Sequence, residues 1–441
     1  MEKIALFGFV HADEVVARWL RKSSSNDLEI HGYTLGRNAA FESACDRVFP
    51  LTEIPDLEQL LRREVYNVVY VGPIPSILTS APILEAAGIP FIGPSIETLM
   101  YELDKSKIMD VFTPESGILP PTRILTSFDR TSVDKVLREF QGEFVLKFVG
   151  DYAKHFPGSE VGRVRLSGET IADEEVYTFV ERSVQDSGKV VIQQKIVGRD
   201  FSANYLVDVN GNLFDLGENV CYKRKGEGNS GPMTDGTGSY SIAGRVPFVT
   251  DTDQIKVRDA VASFVQYLQE HTQRSFRGML NADLIKSDDD QVYICEINCR
   301  EAGAHTLASL YHCLDNDLYD LLKRTQEGTL NQVSPIFNPG ASVVVSAYPT
   351  YFPFAVKAEE RERVRVSKKI PSGVNLFTGW VDNVGETEEH RDLVLMSSPS
   401  LIFEAHAEKI GEARDRVYQA MANIVPSTLI YRKDIAKEAV P

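Results

Sequence analysis

Short apolar runs alternate with helical stretches over the first hundred residues. The runs KIALFGF (3–9), NVVYVGP (67–73) and IPFIGPS (89–95) are typical of buried strands. Strands that alternate with helices in this way form a parallel sheet with helices on both faces. The sequence therefore predicts a doubly wound α/β domain over residues 1–104.

The pattern changes near residue 105. From there to residue 334, strand-like runs are joined by hairpin signals, among them the Asn-Gly in DVNGN (208–212) and the polar turn SDDD (287–290). These features predict an α+β domain with antiparallel strands. Residues 335–441 begin with a strand, end in a helix and predict a small third α+β domain.

Composition excludes several classes of partner. A net charge of −16 over 441 residues argues against a broad nucleic-acid surface. The acidic N-terminus lacks the features of a signal peptide, and no apolar run approaches the length of a membrane span. The five cysteines show neither zinc spacing nor a disulfide framework. We therefore expect a cytoplasmic protein without nucleic-acid or membrane partners; the sequence assigns no oligomeric state.

The run DQVYICEINCR (290–300) carries the main chemical signal. Side chains alternate between the two faces of a strand, so one face carries Glu296, Asn298 and Arg300. The opposite face, with its cysteines and an isoleucine, suits a core. A face with an acid, an amide and a guanidinium is either solvated or functional.

A hairpin would bring a second acid to this face. If Lys286 pairs with Gln291, Asp283 lies opposite Ile294 and shares the face of Glu296 and Asn298. Two carboxylates and an amide suit Mg²⁺, which takes further ligands from substrate phosphates. A solvated polar edge is the alternative.

Cations in other segments could meet the phosphates. Lys147 stands within FVLKFVG, where an unpaired buried ammonium would be costly, so it needs an anionic partner. The loop 150–162 that follows contains three glycines and could offer backbone N–H groups. A second expected loop, 222–241, begins with Lys223 and Arg224 in a cation triplet, and its glycines allow close approach to an anionic substrate.

Together these segments resemble the ATP-grasp superfamily. The resemblance rests on LDKSK, VLK, IQQKIVGRD, NADLI and CEINCR in that order, and it covers nearly the whole chain. Within the superfamily the chain is most similar to phosphoribosylamine–glycine ligase, through VGP, GIPFIGPS, KRKGEGNSGPMTDGTGSYS and the terminal YRKDI. Biotin carboxylase shares the three-part layout but lacks that tail. The implied fold is an ATP-grasp domain between an α/β and an α+β domain.

The resemblance implies roles around ATP. Lys107 and Lys147 would contact its phosphates, and Gln193 would face the nucleotide. The remaining nucleotide contacts would come from the backbone of Gln194 and Ile196, along the adenine, and from Asp200, on the ribose hydroxyls.

Further roles concern the metal and the substrates. Asp283, Glu296 and Asn298 would hold Mg²⁺, with Mn²⁺ as a possible replacement. Arg300 would act with Lys147 in catalysis by gripping the reacting carboxylate or its acyl phosphate.

Two departures from the family pattern bear on the substrate. The turn GFVHADEV (8–15) lacks the glycine-rich sugar-phosphate signature, and Ile74 replaces an acid after VGP. The segment 150–162 is also poor in consecutive glycines, so Lys154 or His155 could take over phosphate contacts.

These observations predict an ATP-dependent carboxylate–amine ligase that works through an acyl phosphate, on an amino acid or specialised metabolite with a different amine. The alternatives are phosphoribosylamine–glycine ligase itself, a bicarbonate-using carboxylase, and a nucleotide-binding regulator that has lost catalysis. An NAD-dependent oxidoreductase would need a glycine fingerprint that the first turn lacks.

Overall fold

The structure is a computed structural model. It describes residues 2–8, 11–23, 27–113, 116–141, 143–147, 149, 164–167, 174–354, 356–379, 381–395 and 400–440.

The helices, in chain order, are α1 (His11–Ser23), α2 (Ala39–Ala44), α3 (Leu57–Glu64), α4 (Ile74–Ala86), α5 (Ile96–Leu103), α6 (Ile108–Val111), α7 (Arg130–Glu139), α8 (Glu174–Ser187), α9 (Asp251–His271), α10 (Ala304–Leu310), α11 (Leu318–Glu327) and α12 (Ile410–Ile424).

The strands are β1 (Glu2–Gly8), β2 (Leu28–Thr34), β3 (Arg47–Pro50), β4 (Val68–Val71), β5 (Thr122–Leu125), β6 (Phe144–Lys147), β7 (Val164–Ser167), β8 (Val190–Gln194), β9 (Gly198–Val207), β10 (Leu213–Gly226), β11 (Ser230–Ile242), β12 (Gly278–Ser287), β13 (Val292–Asn298), β14 (Ala341–Ala347), β15 (Arg363–Ser367), β16 (Val374–Phe377), β17 (Val381–Glu386), β18 (His390–Leu395) and β19 (Leu401–Ala407).

The N-terminal sheet has the order β3-β2-β1-β4, and its strands are parallel. Residues 4–7 of β1 are fully buried, as expected for a strand covered on both faces. The predicted doubly wound domain is confirmed. Beyond β4, only an isolated parallel bridge joins Tyr70 to Ile92, in the segment where a further strand was expected.

A second, antiparallel sheet has the order β5-β8-β6-β7. Its apolar face packs against α7 and α8, in a core that includes Leu137, Phe144, Val180 and Ile192. This small layer presents β6, and with it Lys147, towards the larger sheet.

The largest sheet has eight strands in the order β13-β12-β9-β10-β11-β14-β19-β16. Helix α9 covers one face and begins with a capping box between Thr250 and Asp253. Strand β14 pairs with β11, through Gly238 and Val345 among others. The sheet therefore runs through the boundary that the sequence predicts near residue 335.

Residues 222–241 do not form the loop that the sequence suggested. They lie in the long hairpin β10–β11, joined by a short turn at Glu227–Asn229. Pairing between β10 and β11, and of β11 with β14 from Gly238 onwards, keeps this glycine-rich segment extended. Within the described part of the chain, no helix is long and apolar enough to cross a membrane.

Candidate active site

The hairpin β12–β13 forms the floor of the site. Asp283 pairs directly with Glu296, and Asn281 pairs with Asn298. The expected register, with Lys286 opposite Gln291 and Asp283 opposite Ile294, is wrong. Lys286 pairs with Val292, and a bulge between Asp283 and Leu284 shifts the alignment by one residue more. The shift keeps Asp283 and Glu296 adjacent.

The extra residue in this bulge is Cys295. The sequence pattern assigned it to the core, but it is only half-buried. The charges of Lys147, Asp200 and Lys223 all affect the pKa of its thiol. Burial raises its pKa to about 11, with Lys147 opposing the rise. The core assignment is wrong for Cys295, because the bulge interrupts the alternation of faces, whereas Ile297 and Cys299 are buried as expected.

Three ammonium groups neutralise this acidic floor. The Nζ of Lys147 donates to the carbonyl of Cys295 at 2.5 Å. Lys223 pairs with Asp283 at 2.9 Å, and Lys105 forms an ion pair with Glu296. Three lysines from three segments therefore converge on one face.

The pKa values of these groups follow from burial and from the ion pairs. Burial lowers the pKa of Lys147. Burial alone would raise the pKa values of Asp283 and Glu296, but Lys223 and Lys105 respectively hold them below their ordinary values. Both carboxylates therefore stay ionised at neutral pH, as metal or phosphate chemistry requires.

Arg300 follows the strand and is fixed by a buried acid. Its Nε donates to Glu102 at 2.9 Å, and the same carboxylate accepts the backbone N–H of Cys299 at 3.0 Å. The side chain of Glu102 is 3% exposed, so it restrains the guanidinium strongly. Sequence analysis missed Glu102, although it lies in the last turn of α5, directly before LDKSK.

Glu301 is a second missed residue. It is buried and accepts a hydrogen bond from the Tyr70 hydroxyl at 2.8 Å. A Cβ on Gly72 would lie 2.2 Å from its Oε2, so the VGP tripeptide is shaped by the approach of this carboxylate. Its position directly after Arg300 was the available signal.

The nucleotide candidates lie on β8, β9 and the segment between them. Gln193 is buried, and the N–H of Gln194 donates to the carbonyl of Pro121 at 2.8 Å. Asp200 faces the charged floor: burial raises its pKa, Lys223 opposes the rise and Asp283 adds to it. The nucleotide roles of these residues and of Ile196 stay predictions.

The structure does not bring Lys107 or Arg224 into this cluster. The ammonium of Lys107 lies 4.9 Å from the ring centre of Tyr101, while Lys105, two residues earlier, reaches Glu296. The Nη1 of Arg224 donates to the carbonyl of Gly231 within its own hairpin, at 2.8 Å. Their assigned contacts with phosphate and substrate stay predictions.

Asp235 on β11 is a further group that the sequence did not single out. Burial raises its pKa to about 6, and Arg300 opposes the rise. The predicted lid 150–162, with Lys154 and His155, lies outside the described residues. Among the residues that are described, no three His, Cys, Asp or Glu side chains cluster as a metal site would require; the expected ligand set contains two carboxylates and an amide.

Comparison with known proteins identifies the architecture. Residues 161–306 match the family model of the phosphoribosylglycinamide synthetase ATP-grasp (A) domain. Over 445 aligned residues, the chain is 24% identical to phosphoribosylamine–glycine ligase of Methanosarcina barkeri, covering 99% of this chain and 97% of the relative.

Solved structures show the same fold. Phosphoribosylamine–glycine ligase of Thermotoga maritima superposes with a TM-score of 0.70 at 20% identity, covering 98% of this chain and 100% of the other. The biotin carboxylase domain of Hydrogenobacter thermophilus 2-oxoglutarate carboxylase, solved with MgADP and bicarbonate, gives 0.66 at 14% identity and covers 98% and 91%. The chain is an ATP-grasp ligase.

As an ATP-grasp ligase that resembles phosphoribosylamine–glycine ligase, the chain uses ATP to form a carbon–nitrogen bond. The small antiparallel sheet and the eight-stranded sheet meet where Lys147 contacts β13. The lysines, the two acids and Arg300 all lie at this junction.

Proposed function

We propose that the chain joins glycine to phosphoribosylamine in an ATP- and Mg²⁺-dependent reaction that releases ADP and phosphate. The observation that supports this choice of substrates is the match to phosphoribosylamine–glycine ligases over almost the full length of both chains. The site supports the reaction class, since it combines phosphate-binding cations, an acidic face and a restrained arginine.

The oxygen donors fit a magnesium ion. Asp283 and Glu296 are adjacent and ionised, and Asn298 is two residues further along the strand. Their ion pairs with Lys223 and Lys105 support the proposal, because they place positive charge next to both carboxylates. A bound Mg²⁺ would neutralise charge on the transferred phosphoryl group.

The first step is phosphoryl transfer. A glycine carboxylate oxygen attacks the γ-phosphorus of ATP, ADP leaves, and a mixed anhydride forms. Lys147 and Lys105 lie where ammonium groups can bind phosphate oxygens, and Arg300, oriented by Glu102, can hold the carboxylate. Catalysis of this kind consists mainly of positioning and charge stabilisation.

The second step forms the amide. The amine nitrogen attacks the acyl carbon, the bond to the phosphate oxygen breaks, and the amine loses its proton. Arg300 offsets the negative charge on the departing phosphate. Neither step requires a covalent bond to the enzyme.

A different amine is the second candidate. Ile74 follows VGP where the family has an acid, and the first turn of α1 carries Asp13 and Glu14. Residues 9 and 10, which connect β1 to α1, lie outside the described residues. Acids in this position favour an amine with less negative charge.

The test measures ADP release with glycine and phosphoribosylamine as substrates. The phosphoribosylamine is generated in the assay from ribose 5-phosphate and ammonia. A panel of other amino acids and amines is measured in the same way. We expect turnover only when both substrates are present. Turnover with glycine and another amine would establish the second candidate. ATP binding without turnover across the panel would contradict the ligase proposal and favour the nucleotide-binding regulator.

A further inference from the structure

A cavity lies between the N-terminal domain and the C-terminal strands, away from the charged floor. Its volume is about 430 Å³, within the range of small-molecule sites. Helices α1 and α2 form one wall, and strands β15, β16 and β18 with their flanking residues form the other.

The cavity is cationic in a protein of net charge −16. Three basic side chains line it, Arg18, Lys368 and Arg391, against a single lining acid, Glu14. Ser43 and Ser367 also line it, and serine hydroxyls are common phosphate ligands.

Two of the charged groups hold the wall together. Arg18 donates to the carbonyl of Leu376 at 2.7 Å, and its guanidinium lies 4.2 Å from the ring centre of Phe377. Glu14 accepts the backbone N–H of Thr378 at 2.7 Å. Helix α1 is thereby fixed to β16, so the cavity is held open by a defined contact between the N-terminal domain and the C-terminal strands.

The other two cations differ in what they already contact. Lys368 pairs with Glu386, beside the cavity, and donates to the carbonyl of Thr387 at 3.1 Å. The Nε of Arg391 is buried and, among the described residues, has no hydrogen-bond partner. A buried guanidinium N–H without a partner is costly, and an anion in the cavity would satisfy it.

Helix α1 links the cavity to the residues beside Arg300. Glu14 faces the cavity, while the preceding residue, Asp13, acts electrostatically on Tyr70, the partner of Glu301.

We infer that this cavity binds a phosphate monoester group and, resting on the proposed function, that the group is the phosphate of the amine substrate. Lys368 and Arg391 come from the C-terminal part of the chain, which explains how a chain without the expected sugar-phosphate turn after β1 could take a phosphorylated amine. A separate phosphorylated effector would offer the same chemistry from another source.

The first experiment is calorimetry with inorganic phosphate on the full chain. We expect wild type to bind it, and Arg391→Gln and Lys368→Gln each to weaken binding by about tenfold or more, because charge-assisted hydrogen bonds are lost. Arg365→Gln is the matched control: Arg365 is on β15, pairs with Asp392 at 2.7 Å and is 65% exposed outside the cavity. No binding by wild type, or equal binding by all four proteins, would overturn the inference.

The pattern of inhibition identifies the source of the phosphate group. If inorganic phosphate competes with the amine, and Arg391→Gln has a raised KM for the amine, the cavity binds the phosphate of the substrate. Inhibition or activation that is not competitive with the amine overturns that assignment in favour of an effector. If wild type ligates nothing, the proposed function fails, while the calorimetry still decides whether the cavity binds phosphate.

Discussion

At the scale of single residues, the buried ammonium of Lys147 is costly to the folded state, and its proposed role is to bind the phosphates of ATP. Burial lowers its pKa, and its Nζ donates a hydrogen bond to the carbonyl of Cys295. We expect Lys147→Met to lower kcat/KM for ATP by about 100-fold, the typical effect of removing one preorganised donor. The melting temperature should not fall, because an apolar side chain suits the buried position. Steady-state kinetics and calorimetry check this, with Lys369→Met, at an exposed surface lysine, as the control. An unchanged kcat/KM would contradict the assigned role.

Glu218 on β10 links stability to pH. Burial raises its pKa from 4.5 to about 7. Between those values the folded state binds more protons than the unfolded state, so the free energy of unfolding should fall as pH rises through this window. We expect Glu218→Gln to remove this loss and to stabilise the protein at pH 8 by roughly 2 kcal/mol. Urea unfolding at pH 5 and pH 8 checks it, with Glu270→Gln on α9 as the control. If the free energy of unfolding has the same pH dependence in wild type and variant, the raised pKa of Glu218 is refuted.

At the residue scale, the sequence predicted which residues form the site better than it predicted the contacts between them. Glu296 and Asn298 share one face as expected, because alternation along a strand is a local property. Asp283 lies beside Glu296 through a register and a bulge that the sequence did not predict. Lys105 rather than Lys107 reaches Glu296, and Glu102 rather than a ligand restrains Arg300. These outcomes depend on how α5 enters the site, which local patterns do not specify.

At the scale of elements, the turn after β4 is shaped by the strand opposite. A Cβ on Gly72 would collide with the carboxylate of Glu301. We expect Gly72→Ala to displace Glu301 and Arg300 and to lower kcat/KM for the carboxylate by about 10- to 100-fold, the cost of a small misplacement in a site. The control is Gly411→Ala in α12, where the nearest atom to a new Cβ would be 3.5 Å away. Full activity in Gly72→Ala would show that this contact is dispensable.

The helices and strands themselves were largely predictable. The Asn-Gly hairpin between β9 and β10 and the polar turn between β12 and β13 followed from their turn residues. The bulge at Cys295 and the extended hairpin at 222–241 did not, because both depend on pairing with distant strands. Glycines that resembled a loop are accommodated in β11 by its two neighbours.

At the scale of the whole molecule, the predicted third domain contributes strands to the central sheet. Strands β14, β19 and β16 extend the sheet from β11, and the backbone N–H of Gly93 donates to the carbonyl of Arg277 between the N-terminal and central parts. We expect a chain ending at residue 334 to be insoluble or to lack a cooperative unfolding transition, because β11 would become an unpaired edge. Expression with thermal unfolding by circular dichroism checks this. A soluble fragment with a cooperative transition would show that the sheet can end at β11.

The proposed mechanism requires that a carboxylate oxygen become bonded to phosphorus during turnover, at the site formed by the acidic floor, the lysines and Arg300. The most direct test uses glycine labelled with ¹⁸O in its carboxylate, together with ATP and the amine, and analyses the released phosphate by mass spectrometry. We expect one labelled oxygen in each phosphate, since the acyl phosphate leaves with an oxygen of the acid. Turnover that releases only unlabelled phosphate would contradict the acyl-phosphate mechanism.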